Sequence, residues 1–132
     1  MQTVVRLILT RSPDDNRQLV SLLADRTVEV LEYPCVDFAP MPFAERELDR
    51  RRLVSFAAVA FTSHRGVAAV ASAAQEFSRA GTLLAAVGKR TSAAVERVLG
   101  RCADFVSAEG TGSDLGEMLS AALPAGSRVL HI

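Results

Sequence analysis

Short apolar runs alternate with stretches of helical spacing along most of the chain. Val4-Val5-Arg6-Leu7-Ile8-Leu9 is β-branched and apolar and predicts a first strand. Ser12 followed by Pro13 is a helix start, a capping hydroxyl before a proline suited to the first helical position. Leu19, Leu22 and Leu23 then mark a helix face, with Val20 beside them. Val28 to Tyr33 alternates as a second strand. Pro34, Pro40 and Pro42 make the next stretch extended linker, and Glu45 to Arg52 follows as a charge-dense segment with Glu45 and Glu47 spaced to pair with later arginines on a helix. Ala57 to Phe61 is continuously apolar, as a central parallel strand should be. An alanine-rich helix is predicted from Val67 to Arg79, stopped by Gly81.

Leu83 to Val87 is the fourth strand. A short polar loop at Gly88-Lys89-Arg90 is expected to lead into a helix capped by Thr91 or Ser92, with Ala94, Val95, Val98 and Leu99 on its inner face and Gly100 at its end. Ala103 to Val106 is a weaker fifth strand. Glu109 to Asp114 is a glycine-bearing loop, Leu115, Met118, Leu119 and Leu123 mark a last helix, and Arg128 to Ile132 begins another strand. This alternation of strand and helix predicts a parallel α/β sheet.

Size and composition narrow the classes. At 132 residues the chain has the length of one ordinary domain. Charged residues are 23% and the formal charges cancel, so no basic footprint for nucleic acid is present. Trp is absent and Tyr occurs once, which also argues against a base-stacking surface. No apolar run reaches the roughly 18 residues that a membrane span needs. Cys35 and Cys102 form no CxxC pair and are expected to be reduced thiols of a cytoplasmic protein.

The familiar chemical motifs fail on inspection. Gly88-Lys89 resembles the end of a phosphate loop, but Leu83 stands where that loop needs its first glycine and Arg90 where it needs Ser or Thr. Gly110-x-Gly112 lacks the third glycine of a dinucleotide fingerprint. Phe61-Thr62 stands where a phosphoacceptor domain would end its third strand in Asp. His64 and His131 have no partners at metal-ligand spacing, and Ser63 beside His64 lacks the surroundings of a nucleophile elbow. What remains is a repeated pattern: Thr10/Ser12, Thr62/Ser63, Thr91/Ser92 and Thr111/Ser113 each follow a strand and precede a helix. Each is a capping signal. Together they are also a ridge of hydroxyl and N–H donors with partial positive character, suited to a ligand rich in carboxylates.

The order of these blocks resembles the N-terminal half of the uroporphyrinogen-III synthase family. Leu9-Thr10-Arg11-Ser12-Pro13 is similar to that family's opening strand and turn. Pro34 with Val36-Asp37-Phe38 is similar to its crossing segment, and Phe61-Thr62-Ser63 to its F-T-S turn. Val87 to Ala93 is similar to its V-G-x-x-T-A turn, and Arg128 to Ile132 to a strand that runs on into a glycine turn.

The resemblance implies two α/β domains, the first discontinuous. Residues 1–35 would be the N-terminal piece of domain one, 36–42 the crossing linker and 43–132 most of domain two of a longer protein. It implies the closure of linear hydroxymethylbilane to uroporphyrinogen III, with loss of water and inversion of the last pyrrole ring, without metal or cofactor. It also implies a cytoplasmic enzyme, monomeric at full length. Thr62, Ser63, Gly88 and Thr91 become the expected contacts to substrate carboxylates, with Thr10 and Ser113 as weaker ones. No general acid is identified: the family's tyrosine lies in a returning connector, and Tyr33 does not match it. A non-catalytic α/β interaction module built from the same motifs is the alternative.

Overall fold

The computed structural model describes residues 4–39 and 48–132. The chain divides into two compact units, Met1–Pro40 and Met41–Ile132, and each is described by itself. The expected pairing of Glu45 and Glu47, and the linker's end at 40–42, fall outside the described residues.

In the first unit, β1 (Val5–Leu9) and β2 (Val28–Glu32) pair in parallel, joined through α1 (Pro13–Leu23). Ser12 is the N-cap, its hydroxyl accepting from the Asp15 amide, with Pro13 in the first helical position. Buried Asn16 donates from Nδ2 to the Leu9 carbonyl at 3.2 Å and ties the helix to the strand end. Leu7, Leu9, Val28 and Val30 are buried or half-buried. Ile8 and Leu31, which are register partners, are exposed at 60% and 58%. Alternation along the strands puts these two on the opposite face of the ribbon.

The second unit holds a four-stranded, wholly parallel sheet in the order β5-β4-β3-β6. Its strands are β3 (Ala58–Phe61), β4 (Leu83–Val87), β5 (Phe105–Ser107) and β6 (Val129–His131). All four residues of β3 are buried, as both-sided cover of a central strand requires. Alternation splits its side chains between two cores. Val59 and Phe61, with Leu84 and Ala86, pack against α2 (Arg50–Leu53), α3 (His64–Ala69), α4 (Ala74–Ala80) and α5 (Gly88–Leu99). Ala58, Ala60 and Ala85 pack against Leu115 and Leu119 of α6 (Gly112–Ala122) on the other face.

Three expectations need correction. The helix predicted from Val67 to Arg79 starts earlier, at His64, and breaks into α3, a 3₁₀ turn at Ala71–Ala73 and α4. Val67, Val70, Ala73 and Phe77 are all buried in one core, and the tighter 3₁₀ turn keeps residues three apart on one line where a continuous α-helix would rotate them away. The fifth strand lies at Phe105–Ser107 instead of Ala103–Val106. Asp104 takes its place in the ladder by side chain: its carboxylate accepts from the Leu84 amide and its own amide donates to the Leu84 carbonyl, both at 2.7 Å. Finally, α5 begins at Gly88 with no polar loop before it, and neither Thr91 nor Ser92 caps it.

Candidate functional site

β3, β4, β5 and β6 run parallel, so the segments that leave their carboxyl ends emerge along one edge. From β3 comes Thr62-Ser63-His64, from β4 Gly88-Lys89-Arg90, from β5 the loop to α6, and from β6 His131-Ile132. Strand order also reverses here. β3, β4 and β5 step outward in sequence, whereas β6 returns to the other side of β3. Crevices at such reversal points are where open α/β sheets bind ligands.

Ser63 is half-buried and caps α3, its hydroxyl accepting from the Gly66 amide at 3.0 Å. Thr62 is exposed, and its Oγ1 lies 3.1 Å from His131 Nε2. The backbone beneath this pair is fixed by two ladder bonds, Ile132 N–H to the Ala60 carbonyl at 2.9 Å and Thr62 N–H to the Ile132 carbonyl at 3.2 Å. Gly66 closes the same corner: a Cβ there would meet the Ile132 carbonyl carbon at 3.1 Å.

Gly88 has φ +71°, a conformation that side-chain-bearing residues rarely adopt, and this lets β4 turn directly into α5. Its amide donates to the hydroxyl of buried Ser107 at 3.2 Å, so that N–H serves the protein itself. No N-cap side chain serves α5; the Gly88 amide is taken by Ser107, and the first turn stands at the carboxyl end of β4. The exposed side chains of Lys89 and Arg90 stand on the same turn, with Arg90 Nη2 3.4 Å from His64 Nε2.

Thr91 differs from expectation. It is 5% exposed and sits one turn inside α5, so its hydroxyl is not at the N-terminus. Ser113 is exposed in the first turn of α6, but Thr111 is the cap, accepting from the Asp114 amide at 3.2 Å. Thr10 belongs to the first unit, where it is exposed and its carbonyl accepts from the Cys35 amide at 3.0 Å. The parallel strand order therefore puts Thr62, Ser63, Gly88 and Ser113 at segments leaving one edge of the four-stranded sheet, whereas Thr91 is buried. Sequence reasoning misses two participants. Ser107 is hidden by the misplaced fifth strand, and His131 draws notice in the sequence only as a failed metal ligand. Among the described residues no three His, Cys, Asp or Glu side chains are grouped to hold a metal ion, and no helix is long and apolar enough to cross a membrane.

On the α6 side of this edge lies a groove of about 660 Å³. Its apolar wall includes Ala60, Leu115, Leu119 and Val129, and Thr62 and His131 supply polar atoms.

The family model for uroporphyrinogen-III synthase HemD matches residues 17–132. The chain belongs to the uroporphyrinogen-III synthase family. Among solved structures it is similar to uroporphyrinogen III synthase from the extremely thermophilic bacterium Thermus thermophilus, at 20% identity and a TM-score of 0.49. That alignment covers 93% of this chain and 48% of the Thermus protein, so the chain spans about half the length of that synthase. A search of curated proteins finds no significant match. Membership of the synthase family accords with the resemblance drawn from the strand-end motifs, and the parallel α/β architecture accords with the predicted fold class.

Proposed function

We propose that this chain supplies half of a uroporphyrinogen-III synthase, an enzyme that closes hydroxymethylbilane to uroporphyrinogen III with loss of water and inversion of ring D in heme biosynthesis. The observation that carries this reading is the donor edge of the four-stranded sheet, found in a chain of that family. Uroporphyrinogen III and its precursor bear acetate and propionate groups on every pyrrole. The hydroxyls of Thr62 and Ser113, the first-turn amides of α5 and the charges of Lys89 and Arg90 are suited to those carboxylates. Ser63 and Gly88 shape the turns that present them, and Thr91 supports α5 from within. Thr10 lies in the first unit, and a contact from it to substrate rests on the family resemblance alone.

On this reading residues 1–35 belong to a discontinuous first domain, 36–42 cross between domains, and 43–132 form most of the second. The complete enzyme is monomeric and cytoplasmic. No residue here is assigned as the general acid. Tyr33, at the end of β2, is 65% exposed and does not match the family's tyrosine.

The 132 residues alone are expected to bind the tetrapyrrole without cyclising its precursor. The β1–β2 ribbon leaves Ile8 and Leu31 in solvent, and a two-stranded ribbon buries little surface to offset the cost of ordering it. The test is to incubate the chain with fresh hydroxymethylbilane and to separate the oxidised products. Isomer I alone, at the spontaneous rate, is the expected result; isomer III above that background overturns the expected inactivity. Calorimetric titration with uroporphyrinogen III under anaerobic conditions tests binding. Absence of heat there would favour the alternative, an interaction module with no tetrapyrrole site.

A further inference from the structure

The hydroxyl of Thr62 does not stand alone at the strand-reversal corner. Thr62 and His131 come from adjacent parallel strands, both line the groove on the α6 side, and the distance of 3.1 Å makes them hydrogen-bond partners. A threonine hydroxyl has one proton, and an imidazole Nε2 is either a donor or an acceptor. Two arrangements are therefore open. With Nε2 bare, Thr62 donates to His131 and turns lone pairs toward the edge. With Nε2 protonated, His131 donates to Thr62 Oγ1, and the hydroxyl proton is released to point outward.

An arriving carboxylate discriminates strongly between these states. It accepts from the outward O–H in the second and meets only lone pairs in the first. The second state also forms a relay, imidazole N–H to hydroxyl to carboxylate, in which each bond polarises the next.

We propose that His131 is a positioning residue, which sets the direction of the Thr62 hydroxyl so that it donates to a carboxylate of the bound ligand. The proposal rests on the tetrapyrrole reading for the identity of the ligand, but the relay itself requires only a carboxylate. The backbone bonds linking Ala60, Thr62 and Ile132 hold the two side chains in register, so little ordering is left to the moment of binding.

The experiment is a double-mutant cycle on anaerobic uroporphyrinogen III binding to the full chain, using His131→Leu, Thr62→Val and both together. Each single variant is expected to bind about tenfold more weakly. The double variant should be no worse than either, because His131 acts through Thr62. His131→Gln, whose amide places an N–H near the position of Nε2, should restore most of the affinity. Unchanged binding by His131→Leu, or losses that simply add, overturns the proposal. A purely structural His131 would lower the unfolding midpoint without this coupling.

A second measurement separates failure of this inference from failure of the functional reading. Two-bond ¹H–¹⁵N correlations of the His131 ring report its tautomer with and without glutarate, a dicarboxylate small enough to reach the pair. A shift toward the Nε2-protonated form, lost in Thr62→Val, supports the relay even if the wild-type chain binds no tetrapyrrole. A ring whose Nε2 stays unprotonated in the presence of glutarate overturns it even if the tetrapyrrole binds.

Discussion

Replacing Gly88 with alanine tests whether the direct passage from β4 into α5 depends on backbone geometry. The φ of +71° lies in the left-handed region, where a Cβ crowds its own backbone at a cost of roughly 1–2 kcal/mol. Crowding from elsewhere adds nothing, since the nearest neighbour of an added Cβ is Gly110 Cα at 3.5 Å, an ordinary contact. Alanine's smaller freedom in the unfolded chain offsets about 0.5–1 kcal/mol of this strain and leaves a net loss of roughly 0.5–1 kcal/mol. With a urea slope of about 2 kcal/mol per molar, the unfolding midpoint should fall by roughly 0.3–0.5 M. The control is Gly116→Ala inside α6, where φ is ordinary and a Cβ meets nothing within 4 Å. There the same change should raise stability by about 0.5–1 kcal/mol, because alanine loses less backbone freedom than glycine. Gly88→Asn should recover part of the loss, as asparagine tolerates the left-handed region better than alanine. A Gly88→Ala midpoint equal to wild type, or raised as in Gly116→Ala, would refute the geometric argument.

Other outcomes follow from single contacts. Ser107→Ala removes the acceptor of the Gly88 amide and should cost about 1 kcal/mol in urea unfolding, with faster hydrogen exchange at that amide. Thr91→Ala should also lower stability by about 1 kcal/mol while leaving calorimetric affinity for uroporphyrinogen III unchanged, since the side chain is buried within α5. Asp104→Ala leaves the Leu84 amide without its partner and frees one end of the Arg101 ion pair, and should lower stability by about 1–3 kcal/mol by the same assay.

The strands were legible because burial on both faces writes itself as an uninterrupted apolar run. Ala58 to Phe61 and Leu83 to Val87 are such runs, and both stand where the pattern placed them. Capping hydroxyls were legible at Ser12, Ser63 and Thr111, although the helix after Ser63 begins three residues before the predicted Val67. The entry of α5 is deceptive because a positive-φ glycine replaces the cap, and the Thr-Ser pair three residues later has the right chemistry in the wrong turn. The break at Val70 left no local signal, since it answers to how Val67, Ala73 and Phe77 share one core. The partnership of Thr62 with His131 was beyond periodicity altogether. Each residue alone has ordinary neighbours, and only the parallel register of β3 with β6 makes them a pair.

That register also sets an order of assembly. Thr62 and His131 are 69 positions apart in the chain, and β6 meets β3 only after two further strands and their helices have been strung between them. Closing so long a loop carries an entropic cost that the three residues of β6 recover only when the rest of the sheet is in place. The corner where strand order reverses is therefore the last part of the sheet to zip shut and the first to open. In hydrogen exchange, the amides of β6 should lose protection ahead of those in β3 and β4. The edge proposed to hold carboxylates is thus tied to completion of the sheet, and chains caught before that step present half an edge and no relay.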